Sequence, residues 1–135
     1  MKPSPFNYYR VDSVGNALAL LKEHGDDAQI LAGGQSLMAM MNLRLLAPEA
    51  LIDINSIEEL SGISQVDGAI RIGALTRHSE VENSDIVAQH LPLLTMAIGH
   101  VGHAAIRNRG TLGGSISLAD PAAEMPACAI ALNAE

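Results

Sequence analysis

From Val14 onward, apolar residues recur three and four apart at Val14, Leu18 and Leu21, and this spacing predicts an amphipathic helix with that face turned inward. Ser13 stands where an N-cap is wanted and Gly25 where a left-handed closing residue is wanted. The pattern then shortens. "AQILAG" (28–33) and "LIDIN" (51–55) are compact aliphatic runs that predict buried strands. Between them "QSLMAMMNLRLL" (35–46) is unbranched and apolar, which predicts a helix that Pro48 helps to end. Strand, helix, strand is a crossover unit and favours parallel pairing.

Beyond Ile57 the texture changes. "GISQVDGAIRIGA" (62–74) places Asp67-Gly68 between two alternating runs, the mark of an antiparallel hairpin. Thr76 with Ser79 and Glu80 resembles a helix start, and "LPLLTMAIGHVG" (91–102) predicts a helix with Pro92 in its first turn. "PAAEMPACAIALNA" (121–134) predicts another, its start made ambiguous by Pro126. The expected organisation is an α/β (α+β) fold of two subdomains, residues 1–56 and 57–135. "ALNAE" stops directly after a helical stretch with no closing element, so the second subdomain is expected to be incomplete and the chain a piece of a longer polypeptide.

Composition narrows the partners. Charged residues are 17% and hydrophobic ones 48%, a globular balance rather than a disordered one. The formal net charge is -7 with eight scattered Lys and Arg, so a phosphate backbone is repelled over most of the surface and nucleic acid is not expected as a partner. Cys128 is the single cysteine, which leaves no disulfide framework and no thiolate set for an iron–sulfur cluster. No apolar run reaches the roughly 20 residues of a membrane helix, and "MKPSPFNYYR" lacks a signal-peptide core. A cytoplasmic protein without a transmembrane segment is expected.

Two double glycines carry the candidate chemistry, "AGGQSL" at Ala32–Leu37 and "TLGGS" at Thr111–Ser115. Adjacent glycines allow positive φ, so consecutive amides can converge on an anion, and a following helix adds unpaired N–H groups. Ser36, Gln35, Thr111 and Ser115 add neutral donors, so each turn is expected to hold one phosphate of a diphosphate. No Gly-Lys-Ser or Gly-Lys-Thr sequence is present, which disfavours nucleotide hydrolysis. A Rossmann-type dinucleotide turn is the alternative, because Asp53 follows Gly33 at about the distance of that motif's ribose-binding acid. The glycine spacing is not G-x-G-x-x-G, however, and Asp53 serves equally as a strand-end cap.

Other candidate residues read as structural. His100 and His103 are three apart, but no third ligand completes a metal set. Met38, Met40 and Met41 fill a core, Arg107 and Arg109 are expected to pair with acids across the subdomain boundary, and Cys128 is a buried thiol. No nucleophile-and-base constellation is present, so no catalytic or metal-binding residue is assigned.

The segments "PFNYYRVDSVGNALALL", "ILAGGQSLMAMMNLRLLAPEALIDIN", "IRIGALTRHSEVENS" and "HVGHAAIRNRGTLGGSISLADPAAEMPA" together resemble the flavoprotein (medium) subunits and domains of the molybdenum hydroxylases, the group of carbon monoxide dehydrogenase, xanthine dehydrogenase and quinoline oxidoreductase. The resemblance implies an FAD-binding fold, with the cofactor's diphosphate held by both glycine turns. By motif position, Ala32, Gly33, Gly34, Gln35, Ser36, Leu37 and Met38 form the first grip. Thr111, Leu112, Gly113, Gly114 and Ser115 form the second. Glu124, with Asp120 as the alternative, is implied to bind cofactor hydroxyls, and Val101 to touch the flavin region. The implied role is to pass electrons from a molybdenum-cofactor large subunit and an iron–sulfur small subunit to a terminal acceptor. The alternative is a truncated, non-catalytic FAD- or ADP-binding remnant.

Overall fold

The computed structural model describes residues 2–135, which form two compact units, one ending at Glu58 and the other spanning Glu59–Glu135. The first unit holds strand β1 (Asn7–Arg10), helix α1 (Val14–His24), strand β2 (Ala28–Leu31), helix α2 (Leu37–Asn42) and strand β3 (Ala50–Asp53). The strands make a parallel sheet in the order β1-β3-β2. Central β3 carries the core: Ala50, Leu51 and Ile52 are buried, with Val11, Ala28 and Met41 around them. The parallel crossover pairing follows the strand, helix, strand pattern. β1 was not signalled by the sequence pattern, because this edge strand leaves Tyr8 half exposed.

Helix α1 has the expected ends. Ser13 Oγ accepts from the amide of Asn16 at 3.2 Å, and Gly25 takes φ +55. Its buried face differs from the expected one: Ala17 is buried and Leu18 is 59% exposed, so the inward stripe is rotated toward Val14, Ala17 and Leu21. Helix α2 is shorter than the apolar run that predicted it. It ends because Arg44 adopts φ +57 while the amide of Leu45 reaches the carbonyl of Met40, a left-handed closure well before Pro48. Leu43 and Leu45, counted in the predicted helix, are exposed.

The second unit begins with the antiparallel hairpin β4 (Ile63–Val66) and β5 (Ala69–Ile72). Asp67 and Gly68 both take positive φ, +49 and +83, the combination that matches the twist of a two-residue hairpin loop. Six short helices follow: α3 (His78–Glu82), α4 (Asp85–His90), α5 (Pro92–Ile98), α6 (Ala104–Arg107), α7 (Leu112–Leu118) and α8 (Glu124–Ala131). Their core is Val81, Val87, Leu94, Ile98, Met125 and Cys128.

The helix near Thr76 starts later than its hydroxyl suggests. Glu80 Oε2 accepts from the amide of Arg77 at 2.7 Å and closes the first turn of α3, whereas Thr76 Oγ1 bonds the backbone of Gly62. Pro92 is the first residue of α5, and Pro126 lies in the first turn of α8, where a missing N–H costs no helical bond. No helix among the described residues is long and apolar enough to cross a membrane.

Candidate functional site

The first glycine turn leaves β2 and enters α2. Gly33 is buried, Gly34 takes φ +70, and the amide of Met38 donates to the carbonyl of Gly34 to open the helix. A Cβ on Gly34 would lie 3.1 Å from both Leu31 Cδ1 and Met38 Cγ, so conformation and space both favour glycine there. The amides from Gly33 through Leu37 donate to no acceptor among the described residues. Ser36 does not use its hydroxyl as a helix cap, and Gln35 Nε2 turns back onto the carbonyl of Gly33 at 3.1 Å. This turn therefore keeps a run of backbone donors and a hydroxyl for an external acceptor.

The second turn is built differently, and the expected positive-φ nest is not found. Gly113 and Gly114 are both helical, inside the first turn of α7. The amide of Leu112 donates to Thr76 O at 3.0 Å, that of Gly113 to Ala74 O at 2.9 Å, and that of Ser115 to Thr111 O at 3.1 Å. The amide of Gly114 donates to Thr111 Oγ1 at 3.2 Å. The helix start is thus satisfied from within by Thr111 and by the segment Ala74–Thr76, so these four amides are already engaged.

Glycine is required at 113 by close approach, since a Cβ would come 2.6 Å from Ala74 Cβ and 2.7 Å from Ala74 O. Gly114 is exposed and gives bare backbone to the surface. An antiparallel bridge pairs Arg77 with Thr111, and His78 N donates to Gly110 O at 3.0 Å, completing the attachment of this turn to the segment 74–78. No glycine or charge pattern in "GALTRH" announces that role.

Of the two acids, Glu124 opens α8 and is half-buried, and α8 packs on α7. Asp120 is exposed and accepts from the amide of Ala122 at 2.8 Å, which caps the bend before α8. Val101 lies in the turn after α5, half-buried against the core of the second unit.

Asp53, the acid of the Rossmann alternative, is engaged locally. It accepts from Tyr8 Oη, from Asn55 N at 2.9 Å and from Asn55 Nδ2 at 2.7 Å, as a strand-end cap does. Partial burial acts to raise its pKa, but these hydrogen bonds outweigh it and hold the carboxyl below its ordinary value.

His100 and His103 sit exposed in the turn between α5 and α6, not on one helix face. No group of three or more His, Cys, Asp or Glu that could hold a metal occurs among the described residues. Arg107 pairs with Glu82 within the second unit, a shorter-range partner than an acid across the boundary. Burial, and secondarily the charge of Glu124, raises the pKa of the Cys128 thiol. A cleft of about 550 Å³ in the first unit, lined by Arg10, Asp12, Asn16, Leu20 and Ser56, contains none of the residues expected at the site.

The profile of the family described as the FAD binding domain in molybdopterin dehydrogenase matches residues 4–135. The chain is 49% identical over 134 residues to the 6-hydroxypseudooxynicotine dehydrogenase complex subunit alpha of Paenarthrobacter nicotinovorans, covering 99% of this chain and 45% of that protein. It is 46% identical to the carbon monoxide dehydrogenase medium chain of Hydrogenophaga pseudoflava, covering 99% and 47%. Among solved structures, carbon monoxide dehydrogenase from Hydrogenophaga pseudoflava, in a form lacking the Mo-pyranopterin moiety, superposes with TM-score 0.95 at 47% identity, covering 97% of this chain and 46% of that one. Quinoline 2-oxidoreductase from Pseudomonas putida 86 superposes with TM-score 0.89 at 41% identity, covering 93% and 44%. The chain spans about half the length of the curated relatives it matches.

Proposed function

The chain belongs to the family of FAD-binding domains in molybdopterin dehydrogenases, and from that premise we propose that it holds FAD by its diphosphate and serves as the flavin component of an oxidoreductase complex. The observation that carries this reading is the run of unengaged amides from Gly33 through Leu37, set by Gly34 at φ +70. Neutral amide and hydroxyl donors suit a dianionic linker that is bound and not hydrolysed.

Within this reading the residues Ala32–Met38 supply the amide half of the grip. The residues Thr111–Ser115 supply the hydroxyl half, with bare backbone at Gly114 allowing close approach. Thr111 accepts from Gly114 N through Oγ1 and retains its own proton to donate. Glu124, or Asp120 in its place, accepts from ribose hydroxyls, because an ionised carboxylate takes two such bonds. Val101 gives the ring system an apolar contact. Bound FAD supplies the exchange of electrons, and the protein supplies its binding and orientation. The two FAD-binding subdomains are assigned to residues 1–56 and 57–135.

The same reading extends to partners. Relatives are described as a subunit or medium chain of dehydrogenases, and a single cysteine cannot ligate an iron–sulfur cluster. A molybdenum-cofactor large subunit and an iron–sulfur small subunit are therefore the proposed sources of electrons, delivered to a terminal acceptor, with the complex in the cytoplasm.

Titration of the purified chain with FAD, followed by quenching of flavin fluorescence, tests the proposal. Saturable binding that Gly34→Val weakens supports it. Binding of ADP with no retention of FAD favours a nucleotide-binding remnant, and preference for a nicotinamide dinucleotide overturns the flavin assignment.

A further inference from the structure

Arg107 is not accounted for by the diphosphate grip, yet its surroundings are specific. It closes α6, as Glu82 closes α3. Its Nε donates to Glu82 Oε2 at 2.8 Å, while Nη1 reaches back to the carbonyls of Val101 at 3.4 Å and Gly102 at 3.2 Å. The two side chains are 16% and 31% exposed, so the pair is partly desolvated and held more firmly than a surface ion pair. Three acceptors from two segments thus converge on one planar guanidinium.

The loop it grips joins α5 to α6 and carries Val101. The amides of His100 and Val101 bond back to Ala97 O and Ile98 O, which fixes the loop's entry. Its exit is fixed by the carbonyls that face Arg107. Gly102 takes φ +51, and a Cβ there would lie 2.9 Å from Ile106 Cδ1, so the turn is pressed against α6. Val101 is anchored on one side against the helical core and half-exposed on the other.

We infer that Arg107, oriented by Glu82, is a positioning residue that sets the loop 99–103 and thereby the place at which Val101 meets the flavin ring. The inference rests on the proposed contact between Val101 and the flavin, and it deepens that reading. In it neither Arg107 nor Glu82 touches the diphosphate. Their loss therefore separates the two ends of the cofactor: affinity for FAD falls, while affinity for ADP, which has no flavin, does not. Lysine at 107 keeps a charge beside Glu82 but presents a point ammonium in place of a planar fork, so it cannot serve the three acceptors together.

The test is a parallel titration of the full chain and its Arg107→Ala, Arg107→Lys and Glu82→Gln variants with FAD and with ADP, accompanied by visible circular dichroism of the bound flavin. The expected result is an FAD dissociation constant raised about tenfold in Arg107→Ala. ADP binding stays within about twofold of the unsubstituted chain. Arg107→Lys and Glu82→Gln give intermediate FAD affinities and an altered flavin spectrum. Unchanged FAD affinity in Arg107→Ala overturns the inference, and so does a parallel loss for both ligands, which marks a general structural role. Should Arg107→Ala not fold, the two milder variants decide by the same comparison. Failure of the unsubstituted chain to bind FAD is seen before any substitution; it removes the flavin reading itself and this inference with it.

Discussion

The amide of Gly113 donates to the carbonyl of Ala74 at 2.9 Å, and a Cβ on Gly113 would stand 2.6 Å from Ala74 Cβ. Gly113 therefore stands where two backbones approach too closely for a side chain. Gly113→Ala forces those backbones apart and is expected to destabilise the protein by about 1–3 kcal/mol, the range for overpacking. At Gly114 the added Cβ meets only the Thr111 hydroxyl, at 2.7 Å, which can rotate at the loss of a cap. Urea unfolding is expected to rank Gly113→Ala below Gly114→Ala in stability, and the opposite order contradicts the close-approach account.

At the first turn the constraint is conformational. Gly34 has φ +70, where an alanine pays a left-handed penalty of about 1–2 kcal/mol. Asparagine, whose short amide tolerates that region, is expected to retain more stability and more FAD affinity than alanine. Flavin fluorescence titration of Gly34→Asn against Gly34→Ala checks this. Equal losses would show that the φ of this residue does not set the amide run.

What the sequence made legible depended on how local the deciding contact was. The ends of α1 were readable because Ser13 and Gly25 act within a turn of themselves. Which face of α1 is buried was not, because Ala17 against the sheet outweighs the larger Leu18. The end of α2 rests on a left-handed Arg44, a residue type that gives no such signal. The family and its cofactor were legible from the paired motifs. The donor chemistry of the second pair was not, since its amides are engaged by Ala74 and Thr76, distant in sequence and unremarkable in type. Helices α4 and α6 are too short for periodicity to announce.

Thr111 is 2% exposed and its Oγ1 is the cap for Gly114 N. Thr111→Val keeps the volume, removes the acceptor and leaves that amide without its partner, at an expected cost of about 1 kcal/mol or somewhat more. Thr111→Ser keeps the hydroxyl and is expected to lose less. In the proposed site the same hydroxyl serves FAD, so Thr111→Val is also expected to weaken FAD binding where Thr111→Ser does not. Chemical denaturation paired with FAD titration of both variants checks the two effects separately.

The pH dependence of stability is expected to fall into two windows. His78 is buried with Nδ1 lacking a partner among the described residues, and desolvation, aided by Arg107 and opposed by Glu124, lowers its pKa below the ordinary 6.5. The unfolded chain then binds a proton that the folded chain does not, so stability is full above about pH 6.5 and declines as the pH falls toward the depressed folded value. Asp53 has a folded pKa below its ordinary 3.8, set by Tyr8 and Asn55 against the opposing effect of burial. Its contribution is full above that ordinary value and is lost only in stronger acid. Denaturant unfolding followed from pH 8 to pH 3 is expected to show the first decline disappear in His78→Asn and persist in Asp53→Asn. The variant Asp53→Asn should instead flatten the acid limb. A first decline that survives in His78→Asn would assign that window to another group.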